Sequence, residues 1–392
     1  MRVYLVSPAN HATGGTELLH QFSKCLTDNG IENYMIYPDT NGILCPTPPT
    51  FKKYGVKYVS QYVDAPDSIL VLAETQIHLV NDCQKGTAMI WWLSVDNYLD
   101  AYQVQITESN FDIFGLKERQ NLVHFVQSYY ARDFVNSYIN TENCYFLMDY
   151  INDDIVNWAL AHKDSYERQN ICLYNPKKGY EALEPVIAAC RKDIIWLPLI
   201  RMTPTEMADT MCKGKLYVDF GAHPGKDRIP REAATCGCCV LTNRKGSAAY
   251  DNDVNIPEQY KIEDPTNINS VLEKIYDLVD NYDDRIKEYA PYREKILKEK
   301  DDFMNDMHTA LIILQRIAMS KTPVASPSEL TPYIKTLSSI GSAGNMINEL
   351  AQTAQTACFT GDSSQLMNDL LTIDYILQII RETVYAKLND LS

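Results

Sequence analysis

Short apolar runs return along this chain at intervals that leave room for a helix between them. "RVYLVS" (2–7), "IENYMIYP" (31–38), "SILVLAE" (68–74), "TAMIWWLSV" (87–95) and "NLVHFVQS" (121–128) are each strand-sized. Short runs of this kind suit strands covered on both faces. Between the first two, Leu18, Leu19, Phe22, Cys25 and Leu26 share one helical face, and Gly30 marks a stop. Strand and helix in alternation mean a parallel sheet with helices on both faces. The alternation restarts near residue 169, with "QNICLY", "DIIWLPL", "KLYVDFG" and "CCVLTN" as strands. Among them "TPTEMADTMCKG" is a helix with capping-box spacing at Thr203 and Glu206. Two α/β halves in succession predict two Rossmann-like domains with a ligand cleft between them, at the carboxyl ends of the strands.

The 392 residues suffice for two cores of this size. The polar stretch "HKDSYERQN" sets the expected boundary, giving an acceptor-side domain over 1–165 and a second domain with closing helices over 166–320. Residues 321–392 open with a Ser-, Thr- and Pro-containing linker and continue as a helical extension around "FTGDSS". Its aliphatic stripe suits packing, oligomerisation or partner docking. The apolar runs are too short for a membrane-spanning helix. A formal charge of −15 speaks against nucleic acid as a partner. Eleven scattered cysteines argue against a disulfide framework and for a reducing cytoplasm.

In this acidic chain, "DFGAHPGKDRIPREAATCGCCVLTN" (219–243) sets Lys226, Arg228 and Arg231 beside Gly221, Gly225 and Pro230, just before a helix. A Gly-containing loop at a helix N-terminus presents unpaired N–H groups and partial positive charge to an anion such as phosphate. Glu232 in the first turn can take no phosphate but can accept from sugar hydroxyls, as acidic residues do for a ribose. Phosphate beside ribose reads as a nucleotide. A solvated surface loop, its Glu capping its own helix, accounts for these residues equally well.

The stretch resembles the donor-binding segment of GT-B glycosyltransferases of the retaining family-4 type. Glu232 in "REAATCG" stands where that family holds the nucleotide ribose, and Pro224 stands where it has a second glutamate near the donor sugar. "CLYNPKKGYEAL" is similar to the turn that meets the donor diphosphate, with Lys178 and Gly179 at the matching Lys-Gly. "NHATGGTELLHQFSKCL" resembles the glycine-rich first loop, placing Gly14 and Gly15 under donor and acceptor. The resemblance covers about 1–320 in three motifs. It implies a GT-B fold and transfer of a sugar from a nucleotide diphosphate sugar to a hydroxyl of a carbohydrate, lipid-linked or protein acceptor. It further implies retention of configuration, a hexosyltransferase-type enzyme, no metal and no cofactor besides the donor. Lys178, Arg228, Asp96 and His223 are the candidate catalytic side chains. Gly14, Gly15, Lys178, Gly179, Gly225, Lys226, Arg228, Arg231 and Glu232 are the candidate donor-binding set. The resembled diphosphate turn also carries an arginine before its Lys-Gly, whose place is taken here within "LYNP". This and Pro224 keep two other classes open: a non-catalytic GT-B-like partner subunit, and another nucleotide-sugar enzyme such as an epimerase or hydrolase.

Other features read as structure. Cys236, Cys238 and Cys239 lack the second ligand pair of a zinc site and suit a packed helix-to-strand junction. His124, Trp91 and Trp92 fall inside apolar strands, whereas His11 and His223 lie in the loops expected to face the cleft. Asp96 and Asn97 follow a strand at its carboxyl end, where either a turn or a sugar contact is expected.

Overall fold

The computed structural model describes residues 1–38, 45–108, 110–139 and 143–320, with side chains as far as 314. The expected helical extension over 321–392 lies outside the described residues. Among the described residues no helix is long and apolar enough to cross a membrane.

The first half is one parallel sheet. Its strands are β1 (Arg2–Val6), β2 (Glu32–Ile36), β3 (Tyr58–Val59), β4 (Ser68–Ala73), β5 (Thr87–Trp92), β6 (Leu122–Val126) and β7 (Cys144–Phe146). They lie side by side in the order β3-β2-β1-β4-β5-β6-β7. β4 and β5 are buried along their whole length, which is why they read as unbroken apolar runs. Helix α1 (Gly14–Asp28) follows β1 and buries Leu18, Leu19, Phe22 and Leu26. The expected strand 87–95 stops at Trp92 because the Ser94 hydroxyl caps α2 (Val95–Ala101), accepting from the Asn97 amide at 3.2 Å. In the same way Ser128 ends β6 by capping α3 (Tyr129–Phe134).

Helix α4 (Asp153–His162) leads into the second sheet. Its strands are β8 (Gln169–Tyr174), β9 (Ile195–Pro198), β10 (Gly214–Asp219), β11 (Cys239–Asn243) and β12 (Lys261–Ile262), in the parallel order β12-β11-β10-β8-β9. Helices α5 (Tyr180–Ala189), α6 (Pro204–Lys213) and α7 (Arg228–Thr235) connect them. Thr203 and Glu206 form the expected capping box on α6. Helices α8 (Ile268–Asp280), α9 (Tyr282–Glu288) and α10 (Ala290–Ser320) close the half. Cys236, Cys238 and Cys239 are fully buried in the core of this sheet, as is His124 in the first, where it accepts from the Trp92 indole at 3.0 Å.

Strand order reverses once in each sheet, between β1 and β4 and between β8 and β10. Loops on either side of such a reversal leave in opposite directions and open a crevice at the carboxyl ends. The two crevices meet. The Val95 amide donates to the Pro224 carbonyl at 3.0 Å, and the Asp253 carboxylate accepts from the amides of Tyr129 and Tyr130. Gly225 lies against the Leu93 carbonyl so closely that a Cβ would fall inside its van der Waals envelope. Gly225→Ala must therefore push two backbones apart. It is expected to cost roughly 1–3 kcal/mol of stability in urea unfolding.

Candidate functional site

The joined crevices form a cleft of about 640 Å³. From the first half come His11, Gly14, Gly15, Glu74, Asn97 and Gln127; from the second, Lys178 and the loop from Pro224 to Glu232. The segments after β1, β4, β5 and β6 supply one wall, those after β8 and β10 the other.

Lys178 ends the tight turn after β8. The next residue, Gly179, takes φ 66° and lies so close to the Phe220 carbonyl that a side chain there would collide with backbone. Its role is this close approach; it does not line the cleft. The Lys178 ammonium is 3.0 Å from Asp227 Oδ1 and keeps two donors free. Asp227 occupies the N-cap position of α7 without capping it, because its carboxylate turns instead to Lys178 and His223. The first turn of α7 thus opens onto the cleft with no side-chain cap, the condition under which a helix start holds an anion. Arg228 reaches across to the other half. Its guanidinium donates to Glu17 Oε2 at 2.6 Å and to the Gly14 carbonyl at 3.2 Å. Burial pushes the Glu17 carboxyl up, but Arg228 and Tyr54 outweigh it and hold that carboxyl below the usual range.

Glu232 lines the cleft at 5% exposure and is pushed up to about 7 by burial, against the pull of Arg228 and Arg231. Near neutral pH such a carboxyl both donates and accepts, which suits a pair of vicinal hydroxyls. Glu74, at the carboxyl end of β4, behaves alike. Burial raises it to about 7 although it accepts from the Leu93 amide at 2.9 Å.

Four expected site residues have other tasks. Arg231 is fully buried and its donors are spent on Asp149 (2.7 Å), Glu299 (2.6 Å) and the carbonyls of Asp227 and Lys226. His223 is fully buried, with Nδ1 3.1 Å from Asp227 and Nε2 3.3 Å from the Asp219 carbonyl. Asp96 accepts from the Tyr130 hydroxyl at 2.8 Å and leaves the cleft to its neighbour Asn97. Gly179 serves the turn. Lys226 does line the cleft, yet its ammonium is buried on Glu299 at 2.8 Å, so it is no free cation. Lys226, Arg231, Asp149 and Glu299 instead make a buried ionic cluster that fixes the loop before α7 to α10 and to the segment after β7.

Asp219, His223 and Asp227 bring ligand-type atoms within 4.8 Å of one another. Burial drives the His223 imidazole down, but Asp227 and Asp219 outweigh it and raise it above its ordinary value.

Asn97, expected from the sequence as either a turn residue or a sugar contact, lines the cleft, and so do Glu74, Gln127 and Asp149, which had not been singled out from the sequence. Glu74 was visible as the polar residue ending "SILVLAE". Nothing local marked Asp149, whose partner Arg231 lies in α7, 82 residues away.

No protein-family model matches the chain, and no curated protein matches it. Solved structures do. A glycosyltransferase from Rickettsia africae superimposes with a TM-score of 0.56 at 12% identity, over 81% of this chain and 99% of that one. Sucrose-phosphate synthase from Thermosynechococcus elongatus gives 0.57 at 14%, over 81% and 100%. HepE from Anabaena, in complex with UDP, gives 0.55 at 9%, over 81% and 100%. The fold is that of the GT-B glycosyltransferases. The GT-B frame explains why residues from loops so far apart in sequence share one cleft.

Two outcomes test this geometry. Arg231→Ala leaves Asp149 and Glu299 buried without their cation and is expected to cost about 3–5 kcal/mol in chemical unfolding. For Glu232 the folded carboxyl titrates higher than the unfolded one, so its stabilising protonation is complete at low pH and lost as pH rises through about 7. Glu232→Gln is therefore expected to match the wild type near pH 4 and to exceed it above pH 7 by on the order of 3 kcal/mol.

Proposed function

We propose that this chain is a glycosyltransferase that moves a sugar from a nucleotide diphosphate sugar to an acceptor hydroxyl. The observation that carries the reading is one wall of the cleft: Lys178, the open first turn of α7 and buried Glu232 lie along the same rim. A diphosphate set against Lys178 and the α7 amides would bring a ribose within reach of Glu232. The same cation and helix dipole would then stabilise the charge that grows on the departing diphosphate. Arg228, anchored on Glu17, adds a second positive group, and these groups supply the charge that a metal-independent transfer needs. The resembled enzymes place a glutamate near the donor sugar where Pro224 stands; here the acidic groups available to sugar hydroxyls are Glu74 and Asp149. Retention of configuration and a hexose donor follow from the resemblance described above. The domain limits at about residues 165 and 320 belong to the same proposal, as does a cytoplasmic location.

A non-catalytic reading draws on a specific feature. Lys178, Lys226 and Arg228 are each paired with a carboxylate, so an anionic donor enters a cleft whose cations are already engaged.

The test is a thermal-shift panel of UDP, GDP, dTDP and CMP with their sugar nucleotides, UDP first because HepE carries it. A bound nucleotide at a hundred times its dissociation constant stabilises the fold by about 2.7 kcal/mol. That shift is expected for one base and is expected to vanish in Lys178→Ala. Release of sugar from the matching donor then separates an enzyme from a binding subunit. A flat panel would remove the donor assignment altogether.

A further inference from the structure

The cleft does not end at Gly14. Two further cavities, each about 430 Å³, continue from it. The nearer shares Thr13 and Gly14 with the cleft, and the farther shares Lys53, Asn152 and Asp154 with the nearer. Along α1 the walls of the three spaces are Gly14, Glu17, Gln21, Cys25 and Asp28, at steps of three or four residues, a single helical face. From Gly14 to Asp28 that face is about 21 Å long. It is therefore one groove, much longer than a single sugar ring.

Its lining is charged in near balance and partly aromatic. Lys24 pairs with Asp28 at 2.9 Å, Lys300 with Asp153 at 2.7 Å, and Lys53 lies 3.7 Å from Glu17. With three lysines set against four carboxylates, Glu17, Asp28, Asp153 and Asp154, the groove has no net attraction for a polyanion. The rings of Tyr54 and Tyr150 are each half-buried in its wall; Tyr54 is pinned by its hydroxyl to Glu17 at 2.7 Å, and Tyr150 packs on Phe303. Gln21, Asn29 and Asn152 line the same space. Fixed aromatic faces with amides and paired carboxylates around them suit the alternating apolar faces and hydroxyl edges of a sugar chain.

We propose that the groove along α1 binds a neutral oligosaccharide, whose end would reach the cleft past Thr13 and Gly14 as the acceptor. Its role as acceptor site rests on the donor reading given above; its binding of a sugar chain does not. The groove and the cleft meet at Glu17, which faces the groove and holds Arg228.

The experiment is retention of the full-length protein on an immobilised array of neutral mono-, di-, tri- and tetrasaccharides, without nucleotide. The expected result is a preference of about tenfold or more for the longer chains, the magnitude of an aromatic platform. Cys25→Trp fills the middle of the groove and is expected to erase that preference in protein that melts as the wild type does. Tyr150→Ala adds no bulk and is expected to reduce it in the same direction, so a poorly folded Cys25→Trp does not end the test. Equal retention of all lengths, or a preference untouched by both variants, overturns the proposal. Glycan retention with a flat nucleotide panel would sink the donor reading alone. A nucleotide shift without length preference would sink the groove alone.

Discussion

Everything at the cleft depends on where strand order reverses in two parallel sheets. A reversal forces neighbouring loops apart, and the carboxyl ends of β1 and β4 face those of β8 and β10. The facing is held by contacts with little tolerance. Pro224 gives its carbonyl to Val95, and Gly225 packs on Leu93 backbone to backbone. Asp253 takes two amides at the start of α3. Each such bond contributes modestly by itself. Together they set the register in which Arg228 reaches Glu17.

A second constraint is electrostatic. Asp149, Arg231, Glu299 and Lys226 are all nearly or fully buried, an expensive way to hold a loop. Apolar side chains of the same bulk would hold it as firmly. What the ion pairs add is direction: Arg231 also bonds the carbonyls of Asp227 and Lys226, fixing the backbone just before α7. That leaves Asp227 free of capping duty and able to serve Lys178 and His223. The cations that an acidic chain places here are thus divided between frame and cleft. Lys226 and Arg231 belong to the frame, Lys178 and Arg228 to the cleft.

This division explains how much of the molecule was legible in the sequence. Long strands and their helices were, because burial on both faces writes an apolar run. The short strands β3, β7 and β12, of two or three residues, were not: pairing at a sheet edge makes them, and composition leaves no trace of it. Gly14, Gly15, Lys178, Gly225, Arg228 and Glu232 could be picked out from loop chemistry, and the structure brings them to one cleft. Arg231 looked the same as Arg228 in sequence. Three positions along a helix turn its side chain inward, and the distant Asp149 and Glu299 hold it there. His223 and Asp96 failed for the same reason, since their partners Asp227 and Tyr130 claim the side chain before a ligand can.

The pairing of each cleft cation bears on specificity. An isolated Lys178 would attract any anion, and in a chain of formal charge −15 it would be the natural place for one. With Asp227 at 3.0 Å, that attraction is largely spent. Under the proposed donor reading, an anion gains there only if it also meets the open turn of α7 and Glu232 at the distances a diphosphate and its ribose set. Inorganic phosphate satisfies the first requirement and not the second. A cleft built this way gives up affinity for fragments and keeps it for a ligand that spans the whole rim.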